Sequence, residues 1–358
     1  MLKQLVNEAR LRLRITTTGP LLVKSGLPTV SGPDMAPVLT FRNGRQEPFL
    51  PGSSLKGVFR SHVEKIITSL RPRVACYPFA KREEADAHEE ADAHLEERRR
   101  THRDSCGERF NDEVKGDEQR RAQLEARTDE IYGRSCPVCR LFGSTWFIGR
   151  LAISDAYLIS APIREQRDGV GIDRLTGGAA HGAKFELEVI SEGVTFECTI
   201  HLRNFEIWQL GMLFVVLQDL EDGLIRFGAG RSRGLGWVKG TLSSEEHDGW
   251  PGGLVTATIR GSDEREPVDE LWGLGRWLNE QPASGEPGWG RYGTWYDDLV
   301  KLPAEIERLP RGIRHLRVFT GEALAQLREE AIQHFIRRIQ EWPDESAQVP
   351  ALAGGKRS

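Results

Sequence analysis

The chain has 358 residues, of which 39% are hydrophobic and 28% are charged, so it can bury a packed core and wholesale disorder is excluded. No apolar run approaches the roughly 18 residues of a membrane-spanning helix, and the first ten residues lack the apolar stretch of a secretory signal. Five cysteines, an odd number in a long chain, argue against a disulfide framework. The sequence therefore predicts a cytoplasmic protein without a membrane partner.

The net charge of −4 is unevenly distributed along the chain. Residues 81–130 carry 11 basic and 17 acidic side chains, and residues 241–358 carry 14 basic and 20 acidic ones. The first 80 residues, in contrast, carry 12 basic and 4 acidic side chains. Because phosphate binding needs a local basic surface and not a basic chain, this excess is compatible with nucleic-acid binding. The alternative is that the uneven charge serves only the solubility of the protein and binds no partner.

Hydrophobic periodicity predicts the elements of a mixed fold. Leu11, Leu13 and Ile15 alternate with polar residues as in a half-buried strand. Apolar residues then recur at helical spacing over 55–70, and we expect Ser53 or Ser54 to cap that helix. The later predicted elements are a strand at Arg150–Leu158, a long loop or extended hairpin at Ile163–Gly182, a hairpin of strands Ala183–Ile190 and Val194–Leu202, a helix at Phe205–Leu220, a Gly/Arg loop at Phe227–Gly236, a strand at Trp237–Leu242 and a helix near Glu322–Trp342.

This element order predicts the fold class. Once a charged insertion and the long loop are set aside, the order is strand, helix, strand, strand, helix, strand, which is that of ferredoxin-like and RNA-recognition folds. The sequence thus predicts an α+β protein with a ferredoxin-like βαββαβ core. The predicted parts are a core at 1–75 and 131–242, a zinc-binding charged insertion at 76–139, a hairpin at 160–185 within the core and a C-terminal extension at 243–358.

Four cysteines have the spacing of a metal site. Cys136 and Cys139 form a CxxC turn that directs two sulfurs at one tetrahedral ion, and Cys76 and Cys106 precede it. We expect structural zinc, since little apolar surface is available to hold the insertion to the core. Redox chemistry at the CxxC and free structural thiols are the alternatives. Cys198 lies in an alternating strand and is expected in the core. His88, His94 and His102 are alternative ligands, but a solvent-exposed face is the better interpretation of these histidines.

The segment Pro51-Gly-Ser-Ser-Leu-Lys-Gly-Val-Phe-Arg60 has features of a phosphate-binding helix start. The first turn of a helix leaves backbone amides unpaired, and these can bind a phosphate. Lys56 and Arg60 are four residues apart and therefore share one helical face. An ordinary helix start with two surface cations is the alternative.

The segment Gly228-Ala-Gly-Arg-Ser-Arg-Gly-Leu-Gly236 is a second candidate for polyanion binding. Its glycines permit close approach of the backbone to a ligand, and Arg231 and Arg233 supply positive charge. A Gly-rich loop is weak evidence by itself, and a plain turn is the alternative.

These two segments belong to an ordered set of four motifs, the others being Cys136-Pro-Val-Cys-Arg-Leu-Phe-Gly-Ser144 and Gly171-Ile-Asp-Arg174 with Thr176-Gly-Gly-Ala179. The set resembles the RAMP superfamily of CRISPR proteins. In order and spacing it is most similar to the backbone subunit of type III effector complexes, the seventh Cas family. The resemblance covers about Leu11 to Lys239 and leaves Ser243–Ser358 outside.

The resemblance implies a ferredoxin-like core that binds guide CRISPR RNA and stacks with copies of itself and other effector subunits into a filament. It also implies that a β-hairpin thumb, here about Ile163–Lys184, wedges between guide and target RNA and flips a base pair. The residues implied to contact RNA are Ser53, Ser54, Lys56, Arg60, Arg174, Arg231 and Arg233.

The resemblance further implies a catalytic aspartate in the loop between the first strand and the first helix, which is Asp34 here. Asp34 is the only carboxylate between Glu8 and Glu47. With phosphate oxygens and water it could recruit Mg²⁺ or Mn²⁺, while the 2′-OH of a flipped nucleotide supplies the nucleophile. A turn aspartate after Pro33 is the alternative.

The sequence therefore predicts a guide-RNA-binding subunit that cleaves complementary target RNA through Asp34 and a divalent metal. One alternative is a non-catalytic subunit that caps or spaces the filament, a role that the long tail suits. A second alternative is a metal-independent endonuclease that processes guide precursors, with His62 or His181 as the base.

Overall fold

The computed structural model describes residues 4–26, 32–42, 44–78, 100–261, 265–278, 291–302 and 306–344. The strands are β1 (Glu8–Thr17), β2 (Leu39–Arg42), β3 (Arg45–Pro48), β4 (Gly143–Ser144), β5 (Phe147–Ile148), β6 (Leu151–Ile153), β7 (Tyr157–Leu158), β8 (Arg164–Ile172), β9 (Ala179–Ile190), β10 (Thr195–Arg203), β11 (Val238–Leu242), β12 (Leu254–Ile259), β13 (Glu270–Trp272), β14 (Leu299–Lys301), β15 (Glu307–Arg311) and β16 (Arg314–Phe319). The helices of five or more residues are α1 (Gly52–Leu70), α2 (Cys106–Glu113), α3 (Glu118–Ala126), α4 (Thr128–Arg134), α5 (Pro137–Phe142), α6 (Ile207–Glu221), α7 (Leu274–Leu278) and α8 (Gly321–Gln340). Within the described ranges, no helix has the length and apolar character needed to cross a membrane.

Strand β1 lies at the centre of an antiparallel sheet. Its apolar residues alternate onto the buried face, as the sequence predicts. One edge of β1 pairs with β10 from Glu8 to Thr16. The other edge is shared, because β12 pairs with the first half of β1 and β11 pairs with the second half. Strands β6 and β7 follow one another along the outer edge of β10, and β16 and β15 continue the sheet beyond β12.

Helices α1 and α6 bury their apolar residues in the same core as β1. The stripe of α1 that the sequence predicts is confirmed, with Leu55, Phe59, Val63 and Ile67 buried. Helix α6 is apolar on almost every side, and α8 packs against its outer surface. The chain after Ser243 thus adds both strands and a helix to the layers that the earlier residues begin.

Two local predictions are wrong. The N-cap of α1 is Pro51, not a serine, and the Asp155 carboxylate accepts a hydrogen bond of 2.8 Å from the Gly52 amide. The expected hairpin between Ala183–Ile190 and the next strand is not formed, because β9 pairs with β8 and β10 pairs with β1. An alternating pattern predicts a strand but does not specify its partner. Residues 164–190 therefore form one long hairpin. Of the two structures that the sequence predicts for Ile163–Gly182, a long loop or an extended hairpin, the extended hairpin is the one observed.

The crossing of α6 and α8 depends on Gly211. A Cβ atom at this position would lie 1.8 Å from the Ala331 carbonyl oxygen, so Gly211→Ala must push the two helices apart. We expect this substitution to lower the free energy of unfolding by at least about 2 kcal/mol. Thermal and urea denaturation of the purified protein measure the loss.

The matched control is Gly57→Ala in α1, where an added Cβ meets no atom within 4 Å. The same substitution should there raise the free energy of unfolding by up to about 1 kcal/mol, since alanine has the higher helix propensity. Equal effects at the two positions would contradict the close packing of α8 on α6.

Candidate metal centre and nucleic-acid interface

The four predicted cysteines meet in one buried cluster. The Sγ atoms of Cys76, Cys106, Cys136 and Cys139 all lie within 4.8 Å of one another, and Cys76 is 3.5 Å from both Cys136 and Cys139. A tetrahedral zinc ion with Zn–S bonds of about 2.3 Å holds its sulfurs about 3.8 Å apart. The cluster therefore has the donor type, number and spacing to hold a metal ion such as zinc. Cys198 is buried elsewhere, in β10, as predicted.

Local structure on three segments brings these sulfurs together. Cys136 caps α5 and is followed by Pro137 at the first helical position, so the tight turn places Cys139 one turn later. Cys106 is the first residue of α2, and its Sγ accepts a hydrogen bond of 3.2 Å from the Cys136 amide. Cys76 lies in a short extended segment that is bridged to Arg103.

Two arginines neutralise part of the charge that ionised cysteines would carry. Arg103 donates to Cys106 Sγ at 3.1 Å, and Arg60 of α1 donates to Cys139 Sγ at 3.5 Å. Burial is the largest single influence and opposes ionisation of Arg103, but the charges of Cys106, Cys136 and Cys76 and the hydrogen bond to Cys106 together outweigh it and raise the pKa of Arg103. Four thiolates around one divalent cation have a net charge of −2, so two adjacent guanidinium groups make the cluster nearly neutral.

Residues of helix α1 line two clefts. The first, which we call the Gly-loop cleft, has a volume of about 330 Å³ and lies between α1 and the loop before β11, where Ser54 and Arg231 line it. The second, the cysteine-side cleft, has a volume of about 960 Å³ and is lined by Lys56, Tyr77 and the β4–β5 hairpin. Gly57 and Ser61 line both clefts. The exposed face of α1 is therefore a low ridge between two concave surfaces.

The Gly/Arg loop is held close to the core by glycines. Gly228 has a φ of +73°, and a Cβ atom there would lie 2.2 Å from the Leu22 carbonyl oxygen. Gly236 has a φ of +88°, and its Cβ would lie 2.2 Å from the Phe227 carbonyl oxygen. Between them, Arg231 and Arg233 sit on an exposed 3-10 turn. The glycines are therefore needed for the backbone path, and the turn they form presents both arginines to solvent.

The predicted RNA-contacting cations of α1 differ in their surroundings. Lys56 has no carboxylate within 4 Å among the described residues, and burial, followed by the charge of Arg60, lowers its pKa. Arg60 instead donates to Glu64 at 2.9 Å and to the Gly143 carbonyl at 3.1 Å, in addition to Cys139. Arg60 thus links α1 to the metal cluster, a contact that sequence spacing could not reveal.

Part of the basic excess of the first 80 residues is used inside the fold. On β1, Arg12 and Arg14 pair with Glu197 of β10 at 3.2 and 3.0 Å. Arg14 also pairs with Glu245 at 2.5 Å, and Arg10 stacks over the Trp250 ring. The tail therefore covers cations on this face of the sheet. Counting charges along the sequence overestimates the positive surface near β1.

Asp34 lies beside the base of the long hairpin formed by β8 and β9. Its Oδ2 atom accepts a hydrogen bond of 2.8 Å from the Glu186 amide, and Met35 pairs with Leu187 of β9. Met35 and Leu187 also pack on a small cluster of Leu22, Val189 and Leu235, the last of which belongs to the Gly/Arg loop. This cluster holds the Asp34 loop, the hairpin and the Gly/Arg loop side by side. Within the described residues, no further His, Asp or Glu forms a metal-binding group of three with Asp34.

The remaining predicted residues are separated from these groups. Arg174 is exposed in the turn at the tip of the long hairpin. His181 is exposed on β9, and His62 lies on α1 with its Nε2 atom 2.6 Å from an Asp219 carboxylate oxygen of α6. His102 is near the Tyr77 ring rather than in the metal cluster. His88 and His94 lie outside the described residues.

The sequence matches the model of the RAMP superfamily over residues 14–239, well over half of the chain. The chain therefore belongs to this superfamily, which supports a CRISPR-associated RNA-binding subunit. The mixed fold with an antiparallel sheet is consistent with that family. Among curated proteins, none matches the chain significantly.

The metal site leads to a direct prediction. We expect purified protein to contain one zinc ion per chain, and Cys136→Ser to lose it together with several degrees of melting temperature, because the cluster joins three segments to α1. Metal analysis by mass spectrometry and thermal denaturation measure the two effects. Cys198→Ser, a substitution of the buried cysteine outside the cluster, should keep the zinc. A Cys136→Ser protein with full zinc content and parent stability would contradict the structural role.

Proposed function

We propose that this chain is a guide-RNA-binding backbone subunit of a type III CRISPR effector ribonucleoprotein, with a ferredoxin-like core and a structural zinc site. The family supports RNA binding and a CRISPR complex. The strand order β11–β1–β10–β6/β7, with α1 and α6 on one face, supports the ferredoxin-like core. The observation that carries the proposal is the ridge of α1 between two clefts, with Lys56, which has no acidic partner in the part of the chain that the structure describes, on one side and Arg231 on the other.

This arrangement is suited to a sugar–phosphate backbone. Ser53 and Ser54 are exposed in the first turn of α1, where the helix dipole favours an anion; the Gly52 amide donates to Asp155, so a phosphate would use the amides that follow it. Gly57 exposes the helix backbone on the ridge, so a phosphate can approach closely. Arg231 faces this helix start across the Gly-loop cleft. Such contacts read charge and backbone shape, and they therefore suit a guide of any sequence.

The proposal predicts a sequence-independent, salt-dependent RNA affinity. Arg231→Ala should weaken binding of unrelated RNAs by similar factors and reduce the slope of log affinity against log salt by about one, because one phosphate contact is lost. Fluorescence anisotropy with two unrelated RNAs at several salt concentrations measures this. Lys301→Ala, which removes an exposed cation of the tail, is the matched control and should leave the slope unchanged. A loss confined to one RNA sequence would indicate base readout instead.

We further propose that the long hairpin acts as the thumb and that Asp34 recruits Mg²⁺ or Mn²⁺ for cleavage of target RNA beside it. The position of Asp34 at the hairpin base supports this, since a nucleotide displaced by the hairpin would be near the carboxylate. One carboxylate leaves most coordination positions to phosphate oxygens and water. The role of this chain is then to orient the target, with its 2′-OH as nucleophile, and to hold the metal ion.

Asp34→Asn tests this role with the least disturbance. The asparagine oxygen can still accept the Glu186 hydrogen bond, so the loop is retained while the charge that attracts a cation is lost. We expect target cleavage by the assembled ribonucleoprotein to fall to background while guide and target affinities stay near those of the parent. Added EDTA or a 2′-deoxy target nucleotide at the cut position should have the same effect. Cleavage by Asp34→Asn at the parent rate would leave Asp34 with only a turn role.

Two other functions predict different experimental results. A non-catalytic subunit that caps or spaces the filament is favoured by the tail, whose strands extend the sheet beyond β12. That reading predicts that Asp34→Asn has no effect because the parent itself does not cut.

Guide processing by a histidine would give metal-independent cleavage. His62 is a poor base for this role, since it is held against Asp219 between helices, whereas His181 is exposed.

A further inference from the structure

The cysteine-side cleft is larger than the Gly-loop cleft, and RNA contact at the start of α1 does not account for it. Four segments form it: the side of α1 with Lys56 and Arg60, the start of α2, the residues from Cys76 to Pro78, and the stretch from Cys139 through the β4–β5 hairpin. The last two are held in place by the cysteine cluster, so the cleft is part of the same rigid unit as the metal site. Its volume of about 960 Å³ exceeds what a single water or ion needs.

We infer that this cleft binds one unstacked nucleotide of the RNA, with its phosphate at Lys56 and its base against Tyr77 and the Phe147–Ile148 edge. The inference rests on the proposed RNA-binding function and adds a nucleotide site to it. The sequence motifs imply an RNA contact at Lys56, but neither they nor the family match assigns a base-binding site in this cleft. It lies on the opposite side of the α1 ridge from Arg231 and the Gly/Arg loop.

The apolar side of the cleft is partly exposed. Tyr77 is 38% exposed, and Ile148, at the end of β5, is 78% exposed. Phe147 and Trp146 also line the cleft, between the hairpin and α2. Aromatic and apolar faces of this kind bind bases by stacking, a contact that every base can make. The site would therefore accept any nucleotide, as a guide of variable sequence requires.

The polar side of the cleft matches a phosphate. Lys56 is half-buried and has no acidic partner among the described residues, and its lowered pKa reflects burial and the nearby Arg60. The carboxyl group in the cleft, Glu64, accepts a hydrogen bond of 2.9 Å from Arg60, and burial raises the pKa of Glu64. A phosphate at Lys56 would restore the stability of the ammonium form. A peptide with an apolar side chain would fill the aromatic side but leave this cation without a partner, and we therefore favour RNA.

Continuity with the first cleft gives the RNA a path. Gly57 and Ser61 belong to the lining of both clefts, so a backbone that crosses the α1 ridge passes from Arg231 to Lys56 without leaving the surface. A chain that bends over a ridge in this way unstacks its bases at the bend. The nucleotide beyond the bend then faces the aromatic side of the cysteine-side cleft.

Photocrosslinking tests the location of the base. Purified full-length protein is bound to a uridine-rich RNA that contains 4-thiouridine, irradiated and digested, and the uridine adducts are mapped by mass spectrometry. The inference predicts adducts on Tyr77 or on the Trp146–Ile148 segment. Adducts confined to the long hairpin and the Gly/Arg loop would overturn the inference while leaving the proposed RNA-binding function intact. Absence of RNA binding would overturn both.

Affinity measurements provide the second readout. Tyr77→Ala should weaken RNA binding about tenfold, as expected for loss of one stacked base, and Tyr77→Phe should retain parent affinity because the ring is kept. Leu70→Ala in α1 is the control, since Leu70 is equally exposed at 38% but lies outside both clefts. The zinc content of each variant shows that the neighbouring cluster is intact. Parent affinity for a zinc-loaded Tyr77→Ala protein would overturn the inference, whatever the effect of Arg231→Ala.

Discussion

The contact between Arg60 and the cysteine cluster connects the parts of this molecule that matter for function. Four buried sulfurs within 4.8 Å of one another are compatible with ionisation only if positive charge is close to them. The guanidinium groups of Arg60 and Arg103 supply part of it, and a metal ion held by the four sulfurs would supply the rest. Because Arg60 belongs to α1, the same charge balance that stabilises the cluster fixes the orientation of the helix whose exposed face separates the two clefts.

The sheet provides the second constraint, through the central position of β1. Its two edges bind strands from the middle and the end of the chain, so the segment after Ser243 cannot be removed without exposing one edge of β1. The tail also covers the α6 helix and pairs with arginines on β1. The described residues that line the two clefts beside α1 all precede Ser243, so the tail forms no part of either lining.

Several elements of the fold and the cysteine site could be predicted from the sequence because their signals are local. The alternation of β1, the apolar stripe of α1 and the CxxC turn each lie within one element, and each is confirmed. The partners of strands were not predictable in this way, since Ala179–Ile190 alternates equally well whether it pairs with β8 or β10. The role of Arg60 and the pairing of Arg14 with Glu245 were also hidden, because they depend on residues far away in the chain. The N-cap was mispredicted for the same reason, as the acceptor is Asp155, about 100 residues later.

The central claim is that RNA crosses the ridge of α1 at Gly57, and a pair of substitutions there tests it most directly. Gly57→Ala and Gly57→Glu both introduce residues with better helix propensity than glycine, and no atom of the described chain obstructs either side chain near its Cβ. The account predicts that Gly57→Ala weakens binding of guide-length RNA only a few fold, because a methyl group limits the close approach of a phosphate, whereas Gly57→Glu places a carboxylate in the phosphate path and weakens binding at least tenfold at low salt. Parent affinity for both proteins at matched zinc content would contradict it.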